Sequence, residues 1–266
     1  MNQPDRPVRI QDVQAKKARG EKITMLTAYC AWMARLLANS GTVDMLLVGD
    51  SLGMVELGYD STVPVTMDDM VRHTRAVRAG APNALVVADM PFLSHRAGTI
   101  RALRNAGRLL QSGGATAVKV EGGVSILETV HRIVSAGIPV MGHLGLLPQS
   151  IHAQGGYRRQ ATRPEEQEQL LADAAALEQA GVFAIVLECV PAALARQVSK
   201  ASQVPIIGIG SGPDCDGQVL VTQDILGLSG SATPPFARQY AAVGELIASA
   251  VQSFAADVRS GEFPNA

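Results

Sequence analysis

A chain of 266 residues, 47% apolar and 18% charged, carries enough apolar mass for one large globular core and too much for a disordered chain. Its 23 lysines and arginines against 24 aspartates and glutamates leave a formal charge of −1, which offers no general field for nucleic acid or an anionic membrane, so neither is an expected partner. No apolar stretch approaches the ~20 residues that span a bilayer, the N-terminus has no secretory apolar segment, and the cysteines (Cys30, Cys189, Cys215) lack CxxC spacing, which suits a reducing cytoplasm.

Residues 1–20 read as a short polar lead-in, with a helix over 10–17, to one domain spanning 1–266. A strand over 22–27 and a helix over 29–38 follow, the helix stopped by Asn39-Ser40-Gly41. The next strand is a continuous apolar run that halts at Asp50 and Ser51. Residues 62–66 read as extended; Thr66 with Asp68 and Asp69 then starts a helix to about 79, the acids suiting its N-terminal dipole. A third strand ends at Asp89, where Pro91 discourages continuation. The alternation goes on: helix 99–112, strand 115–121, helix 124–136, strand 138–143. A connection over 145–164 is long enough to expect a functional loop. Helix 165–180 ends at Gly181; then come strand 182–188, helix 191–201, strand 204–209, a glycine-rich turn, a weak strand near 219–228 and a closing helix over 236–258.

Strands alternating with helices predict a parallel α/β sheet with right-handed crossovers. Seven clear strands and one weak one approach the eight of a (βα)8 TIM barrel. An open doubly wound sheet would carry GxGxxG after its first strand, and none is there.

Four apolar strands end on a carboxylate: Asp50, Asp89, Glu121 and Glu188. A barrel gathers its strand ends at one mouth. Asp50, Asp89 and Glu121, from three successive strands, would crowd unless a cation joins them, and an oxygen-only donor set favours Mg²⁺. For any one of these acids, a helix cap or an arginine partner is the alternative. Lys119 shares a strand face with Glu121. An interior lysine must be paired, either with a substrate carboxylate or enolate oxygen, or with a neighbouring acid as a structural ion pair. His143 ends a strand and is a candidate site residue. His73, His95, His131 and His152 fall on helices or loops and read as surface. Glu188 comes from the far half of the chain and suits a general base across the mouth; capping the helix near Pro191 is its alternative. Gly208-Ile209-Gly210-Ser211-Gly212 lies where barrels often bind phosphate, but a plain turn is the favoured reading.

These residues sit within ordered motifs. They include Thr27-Ala28-Tyr29, Val48-Gly49-Asp50-Ser51-Leu52-Gly53-Met54, Ala88-Asp89-Met90-Pro91-Phe92 and Val118-Lys119-Val120-Glu121-Gly122-Gly123. Further along come Gly142-His143-Leu144-Gly145-Leu146, Pro148-Gln149-Ser150, Gly155-Gly156-Tyr157 and Leu187-Glu188-Cys189-Val190-Pro191. From Thr24 to about Leu228, the sequence resembles the ketopantoate hydroxymethyltransferase family. The resemblance implies a (βα)8 barrel, one Mg²⁺ per subunit, a cytoplasmic homodecamer, and transfer of a hydroxymethyl group from 5,10-methylenetetrahydrofolate to 3-methyl-2-oxobutanoate, giving ketopantoate. It also implies that Asp50 and Asp89 ligate the metal and that Glu121 reaches it through water. Asp50, Ser51, Asp89 and Lys119 match substrate-binding positions, Glu188 matches the proton acceptor, and His143 matches a site histidine. Cys30, Tyr59 and the loops 151–154 and 158–163 depart from the family pattern. Two rivals stand beside this reading. One is a metal-dependent lyase of the phosphonopyruvate or isocitrate lyase type, which would need a reactive cysteine on a mobile loop. The other is a non-catalytic barrel serving binding or assembly.

Overall fold

The computed structural model describes residues 6–229 and 233–264. Helix α1 (Ile10–Ala18) precedes β1 (Ile23–Thr27), α2 (Ala31–Asn39), β2 (Met45–Val48), the short α3 (Leu52–Val55), α4 (Met67–Gly80) and β3 (Leu85–Asp89). Then follow α5 (Thr99–Gln111), β4 (Ala117–Glu121), α6 (Leu127–Ser135), β5 (Val140–Gly145), a one-turn α7 (Ile151–Gln154), α8 (Pro164–Gln179), β6 (Ala184–Glu188), α9 (Ala192–Ala201), β7 (Ile206–Ile209) and β8 (Gly217–Leu220). The eight strands form one closed barrel in sequence order, with parallel pairing between successive strands. The chain divides into two compact units, residues 1–219 and 220–266. The second contains α10 (Thr222–Leu226) and α11 (Val243–Ser260).

The strands β2, β3, β6 and β7 are almost wholly apolar because they are buried on both sides, and the pleat sorts strand residues between two cores. Met45 and Leu47, Leu85 and Val87, Ala117, Met141, Ala184 and Val186, and Ile207 fill the barrel interior. Their neighbours Leu46, Val48, Val86, Ala88, Val118, Val120, Val140, Leu144, Ile185 and Leu187 join the outer core, which the barrel shares with Ala34, Val77, Ala106, Val130, Leu177 and Val198 of its helices. Thr66 caps α4 as expected: its hydroxyl accepts from Asp69 N (3.2 Å), while Asp69 Oδ2 accepts from Thr66 N (3.0 Å).

The lead-in is more than polar. Val13 of α1 is buried with the interior cluster, and Val8 and Ile10 pack beside it, so this segment closes the bottom of the barrel. Lys16 bonds Asp44, just before β2, at 2.5 Å, and Lys17 bonds Asp216, just before β8, at 2.7 Å. Residues 62–64 form a turn, not an extended segment. The expected strand over 219–228 is instead the end of β8 followed by α10, because Thr222-Gln223-Asp224 starts a helix that Gly227 ends in the left-handed region (φ 68°). The closing helix begins at Val243, seven residues later than expected from 236.

Helices α2 and α4 meet at Gly80, where an added Cβ would come 2.0 Å from Ala31 O. Gly107 of α5 has open space at the same position. Gly80→Ala is therefore expected to destabilise by about 1–3 kcal/mol or more. Gly107→Ala should stabilise by about 0.5–1 kcal/mol. Chemical denaturation of both variants checks the pair, and equal effects would contradict this packing.

Candidate active site

Sheet register assembles the site. Asp89 pairs laterally with Lys119, and Glu121 with His143. Lateral partners in a parallel sheet point to the same side, and Lys119 and Glu121 are two apart on one strand. All four therefore continue the inward rows that begin with Leu85 and Val87, Ala117, and Met141. The barrel interior is apolar at its floor and turns ionic at its C-terminal mouth.

Asp50 arrives differently. Strand β2 ends at Val48, so Asp50 lies on the turn beyond it. Gly49 holds the inward position, where a Cβ would come 2.8 Å from Ser51 Oγ and 3.6 Å from Asp89 Oδ2. The turn then brings Asp50 N to donate to Asp89 Oδ2 at 3.0 Å. The Asp50 carboxylate accepts from Gln149 Nε2 at 2.7 Å. Asp50, Asp89, Lys119, Glu121, His143 and Gln149 are all buried.

One chain of contacts links the charges. Lys119 Nζ lies 2.9 Å from Asp89 Oδ1, an ion pair without hydrogen-bond alignment, and 3.3 Å from His143 Nδ1. Glu121 Oε1 is 3.5 Å from His143 Nδ1, and Glu188 Oε2 is 3.2 Å from His143 Nε2. With Lys119 donating to Nδ1, the neutral imidazole carries its proton on Nε2; the imidazolium carries one there as well. In both forms Nε2 carries a proton, and it lies 3.2 Å from Glu188 Oε2 without hydrogen-bond alignment. Glu188, half-buried at the end of β6, does not cap α9.

Burial raises the Asp50 pKa well above the ordinary carboxylate range, and repulsion from Asp89 and Glu121 adds to the rise. Burial works to lower the Lys119 pKa, but Asp89, Glu121 and Asp50 outweigh it and keep the ammonium charged. The Glu121 pKa is held low because His143, Lys119 and the Gln149 amide overcome its burial. For His143, burial and Lys119 act downward, and Glu121 and Glu188 reverse them to a net rise.

Ser51 turns its hydroxyl to Tyr29 OH at 2.8 Å. His95, expected at the surface, is instead fully buried with Nε2 3.1 Å from Glu121 O, and burial takes its pKa down to about 4. Arg96 donates to the same carbonyl at 2.9 Å. His73 is half-buried, while His131 and His152 are exposed. The glycine-rich turn after β7 is structural in its geometry: Ser211 Oγ donates to Leu187 O at 2.8 Å, tying the ends of β6 and β7. Gln149 is the buried site residue that strand reading does not single out, since it comes from the connection after β5. Among the described residues, no three or more His, Cys, Asp or Glu side chains form a metal cage.

The profile of the ketopantoate hydroxymethyltransferase family matches residues 7–266. The chain belongs to that family. Over 258 residues it is 57% identical to the 3-methyl-2-oxobutanoate hydroxymethyltransferase of Moorella thermoacetica, a match covering 97% of this chain and 96% of the relative. The corresponding enzyme of Geotalea daltonii is 54% identical over 255 residues, covering 96% and 95%. Among solved structures, a phosphonopyruvate hydrolase complex with oxalate and Mg²⁺ is similar (TM-score 0.63, 14% identity, 95% of this chain and 87% of that one). So is 2,3-dimethylmalate lyase, of the PEP mutase/isocitrate lyase superfamily (TM-score 0.58, 17% identity, 95% and 88%). At these identities the likeness shows the barrel alone. Cys189 and Cys215 also differ from the reactive thiol a lyase reading needs: burial first, then a neighbouring acid (Glu188 or Asp216), pushes each up to about 11. This ketopantoate hydroxymethyltransferase family member thus carries a crowded anionic pocket around one lysine.

A carboxyl group with a raised folded pKa adds stability that is present below its unfolded pKa and lost as pH rises through the folded value. In metal-free buffer, the stability of Asp50→Asn relative to the parent should therefore increase as pH rises above the ordinary carboxylate pKa of about 4. Thermal melts in EDTA test this; a stability difference that does not grow with pH would contradict the crowding described here.

Proposed function

We propose that this chain transfers the one-carbon unit of 5,10-methylenetetrahydrofolate to 3-methyl-2-oxobutanoate, forming ketopantoate. One observation carries the chemistry: in a chain of this family, a strand-end carboxylate, Glu188, lies 3.2 Å from the His143 imidazole, beside a buried carboxylate–ammonium cluster.

The site suits a divalent cation. Asp50, Asp89 and Glu121 are buried around one ammonium, and Asp89 Oδ1 and Glu121 Oε1 have no hydrogen-bond partner. An all-oxygen set with two direct carboxylates fits Mg²⁺, which keeps several other positions for water or substrate. In this reading Asp50 and Asp89 ligate the ion and Glu121 holds one of its waters. Bound there, Mg²⁺ supplies Lewis acidity toward the oxygens of the 2-oxo acid.

Glu188 removes the C3 proton of the substrate, and the His143 imidazole lies 3.2 Å from its carboxylate. Lys119, kept charged by Asp89, stabilises negative charge as it develops on the enolate oxygen. Asp50, Ser51, Asp89 and Lys119 together bind the 2-oxo acid. The nucleophilic C3 then bonds to the methylene carbon of the folate as one of that carbon's two C–N bonds breaks, the freed nitrogen taking a proton; water then replaces the second nitrogen, leaving the hydroxymethyl group and releasing tetrahydrofolate. A cytoplasmic homodecamer completes the reading. Assembly is supported by α11, which has no buried residue and exposes Leu246, Ile247, Val251, Phe254 and Val258. A monomer mass by light scattering would remove the oligomer from it.

Proton NMR of 3-methyl-2-oxobutanoate in D₂O with Mg²⁺ is expected to show loss of the C3 proton signal without folate, and ketopantoate once methylenetetrahydrofolate is added. Glu188→Gln should slow the exchange by about 10²–10⁴-fold. Exchange at the parental rate would remove Glu188 from the role of base; no exchange by the parent would sink the reading.

A further inference from the structure

Gln149 lies in the single turn of 3-10 helix Pro148–Ser150 that follows β5. Its amide nitrogen donates both hydrogens, one to Asp50 Oδ2 at 2.7 Å and one to Met90 O at 2.9 Å. Its backbone N donates to Glu121 Oε2 at 3.1 Å. One residue thus ties together the turn after β2, the end of β3 and the end of β4.

The need for such a tie follows from how Asp50 is delivered. The pleat fixes the direction of Asp89, Lys119, Glu121 and His143, whereas Asp50 sits beyond its strand and has no lateral partner in the sheet. Its backbone N–H is anchored on Asp89, but its carboxylate is turned by Gln149. Amide chemistry is well matched to this. An ammonium in the same place would cancel the negative charge that draws a cation; a neutral donor orients the carboxylate and leaves its charge intact. The Met90 carbonyl takes the other hydrogen and prevents the amide from rotating its oxygen toward Asp50.

We propose that Gln149 is a positioning residue that sets the Asp50 carboxylate for divalent-cation binding, an inference that rests on the metal site proposed above. The Glu121 bond comes from the backbone and survives substitution, so side-chain variants isolate the Asp50 arm. Groups that orient a metal's carboxylate ligands typically account for 10–100-fold in metal affinity.

The test uses Mn²⁺ as probe, its free concentration followed by electron paramagnetic resonance, on the full chain without substrate or folate. Gln149→Met, similar in length but without a donor, is expected to weaken Mn²⁺ binding by about 10–100-fold. The Mg²⁺ concentration giving half-maximal C3 exchange should rise by the same factor. In an Asp50→Asn background, Gln149→Met should change Mn²⁺ affinity no further, because the group it positions is already altered. Should Gln149→Met fail to fold, Gln149→Asn keeps the amide one methylene short of both acceptors and is expected to weaken Mn²⁺ in the same direction. Parental Mn²⁺ affinity in a folded variant overturns the proposal, as does an undiminished loss in the Asp50→Asn background. A parent that binds no Mn²⁺ overturns the metal reading itself, a separate result.

Discussion

A lysine cannot be held deep in a barrel unless carboxylates face it, and those carboxylates cannot be packed together without the lysine. Lys119 and Asp89 meet this mutual requirement through lateral register, side by side on β4 and β3 at 2.9 Å. Breaking one half of such a pair leaves an uncompensated buried charge, which typically costs about 3–5 kcal/mol. The rest of the pocket is arranged around it. Glu121 follows two residues after Lys119, His143 pairs laterally with Glu121, and Glu188 meets the far nitrogen of the imidazole. Charges therefore alternate from β3 to β6 as a consequence of strand order and pleat, with no long-range folding of loops required.

That dependence on register explains what the sequence revealed. Once each apolar run is read as a strand buried on both faces, its terminal carboxylate has to lie at the mouth, and Asp89, Glu121 and Glu188 do. The residues that escaped such reading are those whose positions are set by tertiary contact. Gln149 stands in a connection, where nothing in the local pattern separates a buried amide from an exposed one. His95 follows Pro91-Phe92-Leu93-Ser94, a stretch without periodicity, and its burial against the Glu121 carbonyl depends on a strand 26 residues away. Val13 lies in a helix of mostly polar composition; only the open floor of the barrel explains why it is buried. Near the C-terminal end, the apolar run Val219-Leu220-Val221 and the pair Ile225-Leu226 read as one weak strand, though Thr222 divides them into strand and helix.

Stability and chemistry pull against each other in the pocket. Three buried acids around one ammonium repel, and at Asp50 burial first, then Asp89 and Glu121, favour the protonated form. A fold selected for stability alone would not retain it, whereas a site that binds a dication benefits from every one of those charges. The apolar interior below, from Met25 and Met45 to Val186 and Ile207, supplies the compensating burial and keeps the ionic layer at the mouth.

The division between pleat-borne and turn-borne residues has a chemical consequence. Groups carried by the pleat are held at fixed lateral spacing, as Lys119 is beside Asp89 and His143 beside Glu121; in the proposed reading that spacing suits a lysine meeting charge as it develops. A group on a turn is free of that spacing and can be brought closer to its neighbours than strand separation allows. Asp50 uses this freedom: its backbone N–H reaches the Asp89 carboxylate at 3.0 Å, while the absent Cβ of Gly49 leaves room for Ser51 Oγ. In the proposed metal reading, such closeness would serve two carboxylates sharing one small cation, with an orienting partner from outside β2. The connection after β5 places Gln149 Nε2 on the Asp50 carboxylate at 2.7 Å, so the loop beyond His143 contributes to the same pocket as the strands it joins.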